Sequence, residues 1–179
     1  MTTAIPLELS WLQSAWAGFT NRFVEDRLAH ALLLHGPEGV GKAPLAQLMQ
    51  ATLLCNEPSP DGACGACRSC QLLSSGAHPD AFVVTLSTDK RTGKLRKEIV
   101  VDQIRELIGS LGLTTTISAS KVALITPADA MNRNAANALL KTLEEPPGDT
   151  FIILLAHEPS RLPVTVRSRC QSVSVPMPA

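Results

Sequence analysis

Seven consecutive residues, Gly36-Pro-Glu-Gly-Val-Gly41-Lys42, have the types and spacing of a phosphate-binding loop. An apolar run, Ala31–His35, precedes them, and an apolar-periodic stretch, roughly Lys42 to Leu54, follows. A strand, a glycine turn and a helix in that order form an anion nest. Gly36, Gly39 and Gly41 let backbone N–H groups turn inward, the helix N-terminus adds partial positive charge, and Lys42 adds a full one. An ordinary glycine turn between strand and helix would share the residues but would not require the lysine.

The next position limits what such a loop can do. A hydrolysing loop carries Ser or Thr there to hold Mg²⁺, and this chain has Ala43. The other metal anchor is an acidic residue at the end of a hydrophobic strand. Here Val122-Ala-Leu-Ile125 runs into Thr126-Pro127, with no carboxylate before Asp129. Two losses in the same machinery predict that hydrolysis is absent and that there is no Mg²⁺ site. Lys42 leaves ATP or ADP binding open.

A second cluster is Cys55, Cys64, Cys67 and Cys70, spaced C-x8-C-x2-C-x2-C. C-x2-C turns aim two sulfurs at one point, and four thiolates suit tetrahedral Zn²⁺. Gly62 and Gly65 give the backbone freedom for the tight turns. A closed four-sulfur shell would be structural rather than catalytic. An iron–sulfur site or redox thiols would use the same residues. Zinc is the reading preferred here, because residues 55–70 have too little apolar content to hold together without a metal. His78-Pro79-Asp80 reads as a turn entering a strand, outside a shell that four sulfurs already fill. Ser168-Arg169-Cys170 lies near the end of the chain. Arg169 can be read as a surface arginine in a salt bridge, the reading that spacing alone favours, or as a residue reaching a neighbour's nucleotide.

The elements that would position these residues alternate. The chain has 179 residues, enough for one domain with its own core. Apolar periodicity predicts helices over about 11–28, 42–54, 101–111 and 132–145, and strands near 31–35, 82–86, 122–126, 151–156 and 172–175. Strand–helix alternation implies an α/β fold with a parallel sheet covered on both faces. Residues 56–70 read as irregular, and Ser87 to Lys97 as a polar, basic, turn-like stretch and a mobile loop. The chain is 45% hydrophobic but only 3% aromatic, with no tyrosine. The core must therefore be aliphatic, and base-stacking platforms for single strands are not expected. Formal net charge is zero, which argues against nucleic-acid binding by bulk charge. The sequence has neither a secretory signal nor a membrane-length apolar run, so a cytoplasmic protein is expected.

Taken together, five stretches resemble one family. They are the loop Gly36–Lys42, the four cysteines, Val101-Asp-Gln-Ile-Arg105, Asn137-Ala-Leu-Leu-Lys-Thr-Leu-Glu-Glu-Pro-Pro147, and Ser168-Arg169-Cys170. The chain is similar, from about Trp11 to Val175, to the delta-prime family of bacterial DNA polymerase III clamp-loader subunits. The resemblance implies an AAA+ P-loop domain over residues 1–179 with a zinc-binding insertion at 55–70. It implies gamma/tau and delta subunits as partners in a hetero-pentamer, acting on a sliding clamp and primer–template DNA, with no membrane. It also implies that Arg169 is an arginine finger completing the ATP site of the adjacent gamma/tau subunit. Ala43, Thr126 and Pro127 depart from the hydrolysing pattern, as do Ala156 and His157 where motor subunits carry threonines that sense the γ-phosphate. An active motor subunit of the gamma/tau type is the alternative. DNA contact is expected through the N-terminus of helix 101–111, with Arg105 either on phosphate or simply facing solvent. The family's lid and collar domains are absent from this chain, so the isolated domain is expected to be monomeric or weakly associating.

Overall fold

A computed structural model of the chain describes residues 7–178. A 3₁₀ turn, Leu7–Leu12, leads into helix α1, Gln13–Val24. Strand β1, Ala31–His35, and helix α2, Lys42–Leu54, follow. Next come helix α3, Arg68–Ser74, and strand β2, Ala81–Val84. Helix α4, Val101–Leu111, strand β3, Lys121–Ile125, and helix α5, Arg133–Glu144, form the middle of the domain. Strand β4, Thr150–Ala156, a short helix α6, Val164–Arg167, and strand β5, Gln171–Ser174, complete it.

The five strands form one parallel sheet in the order β2-β3-β4-β1-β5. Strand side chains alternate between faces, and here both faces are apolar, as a sheet covered on two sides requires. Leu32, Leu34, Val122, Leu124, Ile153 and Leu155 pack with α1 and α2. Leu33, Ala123, Ile125, Ile152 and Leu154, one position out of phase, pack with α4, α5 and α6. Both layers are dominated by Leu, Ile, Val and Ala, so the aliphatic core and the parallel α/β architecture expected from the sequence are borne out. Among the described residues no helix is long and apolar enough to cross a membrane.

Two local expectations need correction, and a third gains detail. The first helix does not run to Leu28. It ends at Val24, where Glu25-Asp26-Arg27 offers no apolar face and Asp26 takes a left-handed conformation (φ 53°). Residues 56–70 are not wholly irregular, because α3 begins at Arg68, capped by the Cys67 sulfur accepting the Cys70 N–H. At seven residues, α3 is too short to show a period. The basic stretch Ser87 to Lys97, turn-like as expected, closes into a compact hairpin. Asp89 accepts the Arg91 and Thr92 N–H groups at 2.9 and 3.1 Å, and Thr88 bridges to Leu95.

Candidate functional site: a phosphate cradle, a sulfur knuckle and a tethered arginine

The cradle forms where β1 meets α2. Gly39 and Gly41 take positive φ values of 80° and 92°, which a β-carbon disfavours. Gly36 has no room for a side chain, since a β-carbon there would lie 2.2 Å from the Val175 carbonyl oxygen. Leu12 packs against Gly41, and the Trp11 indole donates to the Val40 carbonyl at 2.9 Å. The residues before α1 therefore hold the loop from outside. Lys42 is buried, and its ammonium donates to the Gly36 carbonyl at 2.6 Å and to the Pro37 carbonyl. Burial pushes this amine below its ordinary pKa, against the opposing pull of the Asp129 and Glu38 carboxylates.

Beside the loop lies a cleft of about 350 Å³ lined by Leu9, Lys42, Ala43, Pro44, Thr126 and His157, with Gly39, Gly41 and Leu155. The four predicted phosphate-loop residues thus come together, and Ala43 and Thr126 stand where metal ligands would be needed. Sequence reasoning missed Pro44. It is the third residue of α2 and has no N–H, while the Leu45 N–H already returns to the Gly41 carbonyl at 3.2 Å. The first turn is left with two N–H groups, those of Lys42 and Ala43, to aim at an anion. The signal was visible, since proline in a first helical turn costs the fold little but removes a donor.

Asp129 was noted in the sequence only as arriving too late in the chain. Its two oxygens accept the His157 and Glu158 N–H groups at 3.2 and 2.9 Å. The carboxylate pins the exit of β4 to the 3₁₀ turn Ala128–Ala130 after β3. It biases Lys42 by charge, but its hydrogen bonds tie it to backbone.

The four cysteines converge. Their sulfurs all lie within 4.8 Å of one another, and Cys55 Sγ is 3.9 Å from Cys67 Sγ. A tetrahedral ion with zinc–sulfur bonds of about 2.3 Å sets its sulfurs roughly 3.8 Å apart, so the four can hold a metal ion. Backbone N–H groups of Glu57 and Cys64 point at the Cys55 sulfur (3.4 and 3.3 Å), and that of Cys67 at the Cys64 sulfur (3.3 Å). Burial works against a thiolate at Cys67, but N–H groups of Cys70 and Asn56 outweigh it and bring that thiol down to about 6. Burial pushes Cys70 up to about 12 and also raises Cys55. A cation is what would stabilise those two as thiolates. Gly65 supplies the left-handed turn (φ 74°) after Cys64. The fifth cysteine, Cys170, is half-buried against the other core layer, and burial raises its thiol to about 11.

His78, read from the sequence as part of a turn, is the centre of a buried polar junction. Ser69 on α3 and Ser118 before β3 both donate to the Leu54 carbonyl at the end of α2, at 2.5 and 2.6 Å. With both hydroxyl protons committed there, His78 Nε2 must be the donor to Ser69 Oγ (2.7 Å). Its Nδ1 accepts the Asp80 N–H (3.1 Å), which makes the ring neutral. The Asp80 carboxylate in turn accepts the N–H groups of Thr116, Ile117 and Ser118 at 2.7 to 2.9 Å. Burial alone would raise Asp80, but those three bonds outweigh it and hold its pKa below the ordinary value.

Arg169 does not line the cleft. Its guanidinium bonds Glu144 at the end of α5, with Nε to Oε1 at 2.7 Å, and donates from Nη1 to the Thr165 carbonyl at 2.7 Å. Two of the sequence motifs, Asn137–Pro147 and Ser168–Cys170, therefore touch through one ion pair. Arg105 is solvent-facing and pairs with Asp102 at 3.6 Å.

A family model described as DNA polymerase III, delta subunit, matches residues 11–178. The chain belongs to this family. It is 48% identical over 168 residues to the DNA polymerase III subunit delta' of Pseudomonas aeruginosa, covering 94% of this chain and 48% of that protein. It is 37% identical over 161 residues to the subunit delta' of Escherichia coli, covering 90% and 46%. The similarity to the delta-prime branch expected from the motifs is thereby borne out. The tau subunit of Bacillus subtilis is a more distant relative, 32% identical over 84% of this chain and 25% of its own length. The chain spans about half the length of the delta' relatives. Among solved structures, a gamma subunit-related DNA polymerase III protein of Thermotoga maritima shares the fold (TM-score 0.64, 20% identity, 91% of this chain and 46% of that one). RuvB of the same organism shares it too (0.56, 15%, 97% and 45%). The fold is of the AAA+ P-loop type.

Proposed function

We propose that this chain is a non-hydrolysing subunit of the bacterial DNA polymerase III clamp loader. In that role it assists ATP-driven placement of the sliding clamp on primed DNA without turning over ATP itself. The reading is carried by the cleft beside Lys42. Ala43 brings a methyl where a magnesium ligand is needed, Thr126 brings no carboxylate, and Pro44 removes a backbone donor. Lys42 and the two left-handed glycines keep a cradle that can still receive phosphate, so ATP or ADP binding is part of the reading and hydrolysis is not.

In the same proposal Arg169 is the finger offered to the neighbouring gamma/tau subunit, and the delta subunit is a further partner. Support comes from its position on the short segment after α6, where a modest rotation away from Glu144 would free the guanidinium. Zn²⁺ is the proposed ion for Cys55, Cys64, Cys67 and Cys70. A borderline-soft ion with no geometric demand of its own suits four thiolates, and when bound it supplies a cross-link and no chemistry. Cytoplasmic residence goes with this role.

The test is binding of a fluorescent ATP analogue by the chain with and without Mg²⁺. The affinity is expected to be indifferent to the metal. Tightening by about tenfold or more on adding Mg²⁺ would mean that the cleft holds the ion after all, and would favour the motor reading.

A further inference from the structure

Strand β2 is the outer strand of the sheet on the side away from β5. Its even-numbered residues face β3, since the Asp80 carbonyl accepts the Val122 N–H at 3.0 Å and the Val84 carbonyl the Thr126 N–H at 2.9 Å. By the alternation of a parallel ladder, the N–H and C=O of Val83 and the N–H of Thr85 point outward. The Val83 side chain is 61% exposed. Between this edge and α4 runs a groove of about 450 Å³. It is lined by every residue from Ala81 to Ser87, of both parities, so it follows the strand backbone rather than one face of the sheet. Gln103 on its far wall donates to the Thr85 carbonyl at 2.8 Å and accepts the Val100 N–H at 3.2 Å.

Apart from Glu106, charged side chains flank the groove rather than line it, basic ones outnumbering the exposed Glu98 at its hairpin end. Its end at Ser87 opens onto the hairpin, where the Arg96 N–H donates to the Ser87 carbonyl at 2.9 Å. That hairpin exposes Lys90, Arg91, Lys94 and Lys97, while Arg96 is held by Asp89 at 3.2 Å. Glu106, half-way along α4, is the one carboxylate among the groove's lining residues.

We infer that this edge is a docking site for an extended peptide segment of a partner protein, apolar at alternate positions and acidic toward the hairpin. The peptide would add a sixth strand. The outward N–H and C=O groups of β2 supply main-chain bonds, the groove takes alternate side chains, and the basic hairpin selects acidic residues at one end. A nucleic-acid duplex would use the hairpin's charge but could not use the strand edge or the exposed Val83. The edge therefore favours a peptide. The partial burial of Phe82 and Leu86 beside the groove gives such a segment an apolar floor.

The probe is a fluorescein-labelled synthetic peptide of alternating valine and threonine that carries three glutamates at one end, titrated with the full chain and followed by anisotropy. Binding is expected, weakening about tenfold between roughly 0.05 and 0.5 M salt as screening removes the hairpin's contribution. Amide hydrogen exchange on the same complex should slow at Val83 and Thr85. Val83→Pro, which edge strands tolerate because the lost N–H faces outward, should abolish the binding. If that variant does not fold, exchange in the unmodified chain decides. An absence of anisotropy change overturns the inference. So does peptide binding that leaves the Val83 and Thr85 amides exchanging freely. A labelled DNA duplex that binds and displaces the peptide while those amides stay unprotected would make the hairpin a nucleic-acid contact instead.

Discussion

Arg169 and Glu144 make a contact that is at once a stabilising pair and a restraint. Both side chains are partly exposed, so the pair is worth less than about 1 kcal/mol to the fold, and Glu144→Ala should barely move the melting temperature. In the proposed role of Arg169 the weakness matters, because a finger must leave its resting partner cheaply. In a reconstituted loader, Arg169→Ala is expected to slow ATP hydrolysis at the neighbouring site by on the order of 10³-fold while assembly persists. An unchanged rate would reduce Arg169 to a structural role. Ala43 makes a second prediction at this scale. Ala43→Ser returns a hydroxyl to the metal position, yet Thr126 still brings no carboxylate, so turnover should stay at background. Turnover restored by that single change would point to Asp129 as an available ligand, against its present bonds to the His157 and Glu158 N–H groups.

The elements divide into those whose period is long enough to read and those set by single side chains. Helices α2 and α4 were legible, α4 because it carries an apolar stripe that ends at a clear break, and α2 because it is a long, mostly apolar run buried on nearly every side. Strands β1 and β4 were legible as apolar runs buried on both faces. The short α3 and α6 were not, since their ends are fixed by a cysteine sulfur and by tertiary packing of Val166 rather than by pattern. The gathering of the phosphate loop and of the four cysteines was legible from spacing. The junction around His78 was not, because Ser69, His78 and Ser118 are brought together only by the fold. That junction ties α3 to the end of α2 and to the entry of β3. His78→Ala should therefore destabilise the chain by about 2 kcal/mol by leaving the buried Asp80 N–H and an acceptor site of the Ser69 hydroxyl without a partner. Burial holds His78 below its ordinary pKa, so the folded chain binds that proton less readily than the unfolded one. The contribution is full above about pH 6.5 and declines as pH falls below it; Asp80, also held low, adds a loss at more acid pH. Melting temperatures taken from about pH 7.5 down to about pH 5 should fall, and should fall less in His78→Ala. Equal slopes would contradict the neutral-ring assignment.

At the scale of the whole molecule, the knuckle is a small body on a large one. Its own apolar cluster consists of Ala51, Ala63 and cysteines, too little to fold residues 55–70 unaided. Metal analysis should give one ion per chain, and chelation should lower the melting temperature and loosen α3 while the five-stranded sheet persists. An iron–sulfur absorbance band would contradict the zinc assignment. The sheet, by contrast, carries two aliphatic layers and positions the cradle at the C-terminal end of β1, between β4 and β5, where doubly covered parallel sheets present ligands. On the proposed reading it is the side chains at the cleft, Ala43 and Thr126, and not this scaffold, that withhold catalysis. The most direct measurement is steady-state ATP turnover by the purified chain with Mg²⁺ in excess. We predict background release of phosphate, the same for the unmodified chain and for Lys42→Ala. Sustained release that Lys42→Ala abolishes would contradict the account.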